Sequence, residues 1–292
     1  MWQLSGVPYT SMSEPGGIAN AIAVLRERGL GGRLGALGVE DAGDLQLDAP
    51  TGERGRSGVL NEPALVRLVE ATRERVSAAH EQGRRPLLVG GDCPVLLGAL
   101  AAVRDAGERP GLVMVDGHED AWPPSRSETG EGSDSEIAIA LGSVPSLPSA
   151  LEERLPLLDP SALAYLGPRD REEIAAAGVE SLRDRSAFFA DGAGTSAALA
   201  SGRDPAAAAV ESIAADAYWL HIDLDVLATS AFDAVDYPQP GGLDWEELDR
   251  LVAAIPRESR FRGVSVVIYN PELDPGRKGA DKVVAFVVRL IG

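Results

Sequence analysis

Five side chains able to bind hard or borderline metal ions, Asp116, His118, Asp120, Asp223 and Asp225, alternate along two short segments, Asp116-Gly117-His118-Glu119-Asp120 and Asp223-Leu224-Asp225. On an extended backbone alternate residues share a face. Asp116, His118 and Asp120 can therefore point one way, and Asp223 and Asp225 likewise. Four carboxylates and an imidazole gathered in one place repel one another unless cations sit among them. One ion takes about four to six such donors, and bridging carboxylates can serve two ions about 3.5–4 Å apart. Oxygen donors with one imidazole favour manganese or a similar divalent ion over a thiolate-bound structural zinc. A third segment, Gly90-Gly91-Asp92-Cys93, adds another acid and the only cysteine. Either acidic motif alone reads equally well as solvated turn acids. The three together do not.

Each segment follows a short apolar run, at residues 86–89, 112–115 and 218–222; similar runs occur at 162–166, 263–268 and 283–290. Apolar on both sides, such runs suit strands covered on both faces, as in a parallel sheet. Helix candidates lie between them, at 62–81, 94–106, 169–177, 205–216 and 245–255, with Asp244 as an N-cap for the last. The alternation points to an α/β protein, a three-layer α/β/α sandwich with a mostly parallel sheet. In such sheets ligands bind outside the carboxyl ends of the strands. Three adjacent strand ends would thus empty their acids onto one rim. Residues 41–58 and 122–135 read as long loops, functional or mobile, and 193–209 as an alanine-rich surface helix. With no repeat, heptad or linker, the reading is one domain over 1–292.

Composition narrows the function. Against 27 Lys plus Arg stand 45 Asp plus Glu, a formal charge of -18. Such a chain repels phosphate backbones and anionic lipid, so neither nucleic acid nor membrane is an expected partner. A small-molecule substrate is. Hydrophobic residues make up 45%, enough for a buried sheet. No apolar run approaches the roughly 20 residues that span a bilayer. One cysteine allows no internal disulfide, and the N-terminal segment lacks the pattern of a signal peptide, so the expected location is cytoplasmic.

The motifs as a set resemble the ureohydrolase superfamily of arginases, agmatinases and formimidoylglutamases. Gly16-Gly17-Ile18-Ala19-Asn20-Ala21 resembles its early glycine turn, and Gly90-Gly91-Asp92-Cys93 is similar to its Gly-Gly-Asp-His. Asp116-Gly117-His118-Glu119-Asp120 is similar to Asp-Ala-His-x-Asp, and Asp223-Leu224-Asp225 to Asp-x-Asp, followed by Pro240-Gly241-Gly242-Leu243 and later Asn270-Pro271. The resemblance implies an arginase-like fold binding one or two divalent ions. Mn2+ is favoured, with Zn2+ or Fe2+ admitted by Cys93. Asp116 and Asp223 would bridge, Cys93 and Asp120 complete one ion, and His118 and Asp225 the other. It further implies a trimeric or hexameric homo-oligomer. The implied reaction is hydrolysis of a non-peptide C–N bond in a guanidine, amidine or amide, by a metal-bound hydroxide that Asp120 also holds.

Four departures qualify this expectation. Cys93 replaces a ligating histidine, either as a soft ligand or as an inert buried thiol. Asp134 stands near the place of a mobile histidine, as a proton carrier or as a helix N-cap. Ile268 replaces a guanidinium-binding glutamate, which argues against unmodified arginine or agmatine unless Glu272, Asp274 or Glu172 substitutes. Ala228-Thr229 replaces an Asp-Pro turn. Glu172 is also the best-aligned candidate for a substrate amino group, although a helix-start acid explains it equally well. His221, two residues before Asp223, would stand behind the ligands as a hydrogen bonder or make up for the histidine missing at Cys93. His80 reads as a solvated or core histidine. The alternative function is a catalytically impaired member of the fold, serving as a binding or assembly subunit. A nucleotide-binding reading has neither a glycine-rich phosphate loop nor its lysine to support it.

Overall fold

The apolar runs form strands, and the strands form one sheet. A computed structural model describes residues 1–292. Its strands are β1 (Trp2–Gly6), β2 (Glu40–Asp44), β3 (Arg85–Val89), β4 (Pro110–Val115), β5 (Leu163–Gly167), β6 (Phe188–Asp191), β7 (Ala217–Asp223) and β8 (Phe261–Val267). Their order is β2-β1-β3-β8-β7-β4-β5-β6, and every pairing is parallel. β4 and β7 are buried along their whole length, which is why they read as unbroken apolar runs. On one face helix Glu62–Glu81 packs on helix Val95–Asp105 over β3, β4 and β7. On the other, Ala21–Glu27, Trp245–Val252 and Lys278–Ile291 pack together, with Gly192–Ala200 and Pro205–Ser212 over β5 and β6. The expected α/β/α sandwich is the observed fold.

Strand adjacency differs from the expectation. β4 and β7 are neighbours, but β8 lies between β7 and β3. The chain lays β1 to β3 on one side and β4 to β6 on the other, then fills the middle with β7 and β8. The rim is therefore built from four strand ends, and Cys93 reaches it from beyond β8. Glycine makes that reach possible. Gly90 and Gly91 have φ of 90° and 70°, and a Cβ on Gly91 would lie 2.4 Å from the Val7 carbonyl oxygen.

Residues 283–290, expected as a strand, belong to helix Lys278–Ile291. Their valines favour strands by propensity. The buried positions Ala280, Val283, Val284, Val287 and Leu290 nevertheless recur every three or four residues, a helical period. The alanine-rich stretch 193–209 is two helices rather than one, Gly192–Ala200 and Pro205–Ser212, each started by an aspartate, Asp191 or Asp204. Asp244 caps Trp245–Val252 as expected, in a reciprocal capping box with Glu247. Three strands went unread in the sequence: β1, β2 and β6. β2 is Glu-Asp-Ala-Gly-Asp, an edge held by Arg26 against Asp41 and Asp44 and by Arg75 against the carbonyls of Ala42 and Gly43.

Candidate metal centre

The register Val115↔Ile222 brings Asp116 and Asp223 side by side where β4 and β7 end. From there the backbone folds the acids inward through its own amides. Asp116 Oδ1 accepts from the His118 N–H at 2.7 Å, Asp223 Oδ1 from the Asp225 N–H at 2.7 Å, and Asp225 Oδ1 from the Gly117 N–H at 2.9 Å. A Cβ on Gly117 would lie 2.8 Å from both Arg169 Nη1 and Asp225 Oδ1, so a larger residue there would have to displace those side chains. His118 Nδ1 is 2.8 Å from Asp225 Oδ2. The Cys93 thiol donates to Asp223 Oδ2 at 2.9 Å. Asp120 sits in the left-handed region, φ 47°, a strained conformation of the kind found at functional sites. The loop is pinned from below: Asp170 accepts from the Glu119 N–H, and the Glu119 carboxylate accepts from Ser181 and Leu182.

All six expected ligands come together. Three sets of donor atoms lie within 4.8 Å of one another: Asp116, His118 and Asp225; Cys93, Asp120 and Glu136; Cys93, Asp116 and His221. Donors about 2.0–2.3 Å from a shared ion lie up to about 4.6 Å apart, so these sets are near ligand spacing already. Asp116 Oδ2, His221 Nε2 and both carboxylate oxygens of Glu136 are buried without any hydrogen-bond partner. Buried polar atoms are rarely left so. The residues present fit a divalent metal.

Electrostatics agree. Burial, and then the neighbouring acids, push the Asp116, Asp120 and Asp223 carboxyls well above the usual range. Burial opposes a charged His118, yet Asp225 and Asp116 overcome it and raise its pKa to about 10. Asp225 moves down despite its burial, because His118 and the Gly117 N–H favour its charge. Without metal the cluster must hold protons. Divalent ions would replace them.

A cavity of about 600 Å³ opens over the cluster, lined in part by Cys93, His118, Asp120, Asp223 and Asp225, while Asp116 lies fully buried beneath. The loop at residues 122–135 forms one wall through Trp122, Arg126, Glu131 and Asp134, so this long loop is part of the site. Asp134 does not cap a helix. Its Oδ2 accepts from the Ser127 and Thr129 hydroxyls, and no side chain caps helix Glu136–Ala140. Glu172 points outward, exposed, and does not line the cavity; one residue on, a turn of about 100°, Glu173 does. Glu272 and Asp274 are engaged elsewhere, with the Gly17 N–H and with Tyr269 and Ala280, so neither replaces the glutamate missing at Ile268. Ile268 itself lines the cavity at φ 66°, an outlier for a β-branched residue. His80 bonds the Arg262 carbonyl at 2.8 Å, away from the site. His221 lies fully buried under the ligands, its Nδ1 2.7 Å from Ser265 Oγ, and burial lowers its pKa to about 3. The sequence reading passed over Glu131, Glu136, Asp236 and Tyr237. For Glu136 the one signal was an acid heading the apolar run Ile137 to Leu141.

Buried carboxyls that call for divalent cations, set under an open cavity at the carboxyl ends of a parallel sheet, define an α/β protein with a candidate divalent-metal site. The family follows from comparison. The model of the Arginase family matches residues 4–292, and the chain belongs to that family. It is an amidinohydrolase-type enzyme, acting on a non-peptide C–N bond of a small molecule. Arginase from Bacillus caldovelox is 26% identical over 98% of this chain and 96% of its own. Its crystal structure superposes with a TM-score of 0.81 at 24% identity, covering 99% of this chain and 97% of the other. Formimidoylglutamase from Bacillus subtilis gives 0.72 at 17%, over 100% and 86%. Proclavaminate amidino hydrolase from Streptomyces clavuligerus gives 0.69 at 20%, over 99% and 90%. Likeness to solved structures at these identities, all below 25%, speaks for the fold.

Proposed function

We propose that this enzyme hydrolyses a cationic guanidine or amidine other than unmodified arginine. The observation that carries the proposal is the charge of the cavity. Beyond the expected metal ligands and Glu131, its lining holds Asp92, Glu128, Asp134, Glu173 and Asp236 against one cation, Arg126. Such a funnel concentrates cations and disfavours anionic or neutral amides. Ile268 presents apolar surface where the family resemblance places a carboxylate, which favours a substituted amidino group there.

Asp116 and Asp223 would be shared between two ions, with Cys93 and Asp120 on one side and His118 and Asp225 on the other. What divalent ions supply there is Lewis acidity, which activates water and polarises the carbon attacked. His221 Nδ1 pairs with Ser265 Oγ, which also accepts from Trp219 Nε1, while its unpartnered Nε2 lies buried in the group with Cys93 and Asp116, so His221 is placed to steady that side of the site. Asp134, accepting from the Ser127 and Thr129 hydroxyls on the cavity wall, is placed to orient substrate. Glu131 suits the acid: burial first, then Asp92 and Asp134, raise its pKa to about 8, so it holds a proton at neutral pH for the departing amine. Glu173 takes the substrate-binding part expected of Glu172. Manganese on the His118 side, a homo-oligomer, a cytoplasmic location and a single arginase-like domain complete the proposal.

The test is release of urea or amine from arginine, agmatine, substituted guanidines, amidines and neutral amides by protein loaded with manganese, zinc or iron. Turnover of cationic amidino compounds above arginine is expected. Preference for a neutral amide, or for arginine itself, would refute it.

A further inference from the structure

Glu136 is the first residue of the short helix Glu136–Ala140, between buried Ser135 and Ile137. Helix-start acids ordinarily face water and the amides of the first turn. This one does neither. Its side chain is fully buried, and neither carboxylate oxygen has a hydrogen-bond partner. An oxygen of it lies within 4.8 Å of Cys93 Sγ and of an Asp120 oxygen. Between two carboxylates no hydrogen bond forms unless one keeps a proton. What an unpaired buried carboxylate beside a second one and a thiol lacks is a cation.

We propose that Glu136 is a ligand of the ion on the Cys93 side. It supplies a carboxylate donor where the chain offers cysteine instead of imidazole. The inference rests on the metal-dependent reading above and adds a residue to it. Charge accounts for the rest of the arrangement. Two divalent ions bring four positive charges to five carboxylates, namely Asp116, Asp120, Glu136, Asp223 and Asp225. A cationic substrate offsets part of the negative charge that remains.

Four proteins test this: wild type, Glu136→Gln, His118→Asn and the double variant. Each is stripped with chelator, dialysed against manganese or zinc, and analysed for bound metal, and its melting temperature is read with and without the ion. Wild type is expected to hold two equivalents. Glu136→Gln should hold one, with its second site weaker by about tenfold or more, and the double variant none. A ligand without its ion strains the fold, so metal-free Glu136→Gln should melt no lower than metal-free wild type, while its gain on adding metal shrinks. A merely structural Glu136 would lower the metal-free melting temperature and leave the stoichiometry alone. Two tightly held ions in Glu136→Gln, or one retained by the double variant, would overturn the assignment while the hydrolase reading stands. A wild-type protein that takes up no ion overturns both.

Discussion

Asp116 belongs to two of the three donor sets, and Asp223 lies beside it in contact with Cys93. Asp223→Asn keeps the size and removes the charge that holds a cation, so metal affinity and activity should fall by about 100-fold or more. Metal analysis and kcat/KM measure it, and a fully active variant would remove Asp223 from the ligand set. His221→Ala removes the group behind Cys93 and should weaken metal by about 10–100-fold while the protein still folds. Ile268→Glu restores a carboxylate to the cavity wall. It should shift preference towards unsubstituted guanidines, read as a change in the ratio of kcat/KM values, and an unchanged ratio would clear Ile268 of any part in selection. Among these residues the Asp-x-His-x-Asp and Asp-x-Asp spacings were readable as chemistry, but the extended backbone expected of them is absent. The strands stop at Val115 and Asp223, Leu224–Val226 is a 3-10 turn, Asp120 is left-handed, and these turns gather the acids. Glu136, Glu131 and Asp236 were not readable, since nothing local separates a buried acid from a solvated one.

At the scale of elements, the sheet follows from apolar runs where strands are buried on both faces, as in β4 and β7. It escapes them at the edges. β2 carries no large apolar side chain and is a strand only because β1 pairs with it and Arg26, Arg75 and Arg84 hold its acids and carbonyls. Helix Lys278–Ile291 shows the opposite failure, where propensity pointed to a strand and burial period chose a helix. Phe286, fully buried in that helix, should cost about 3–5 kcal/mol when replaced by alanine. Exposed Lys282→Ala should cost little. Denaturant unfolding checks both, and equal costs would contradict the helical packing.

The whole molecule couples its stability to protons and metal. Acids whose pKa is raised by folding favour the folded state while protonated; that contribution is complete below their ordinary values and lost as pH rises through the raised ones. Asp92 and Asp170 are raised to about 6 and Glu131 to about 8, chiefly by burial. His118, raised to about 10, has the same sign, since its charge favours folding until pH passes that value. Growing net negative charge adds to the trend. With chelator present, the melting temperature should therefore fall from about pH 5 to about pH 8.5, and the rise on adding manganese or zinc should be larger at the higher pH, as metal binding releases the protons. A metal increment that shrinks with rising pH would contradict the protonated, metal-free cluster. The activity of Glu131 as an acid predicts an alkaline limb near pH 8, absent in Glu131→Gln.

From the chain alone came the parallel α/β architecture and the six ligand candidates, because period and spacing are local properties written along the sequence. The order of the strands, the placing of β8 between the ligand-bearing ends, the outward turn of Glu172 and the inward turn of Glu136 were decided only by the folded structure. Those depend on contacts between residues far apart in the chain, and burial, which converts an ordinary acid into a metal ligand, exists only once those contacts have formed.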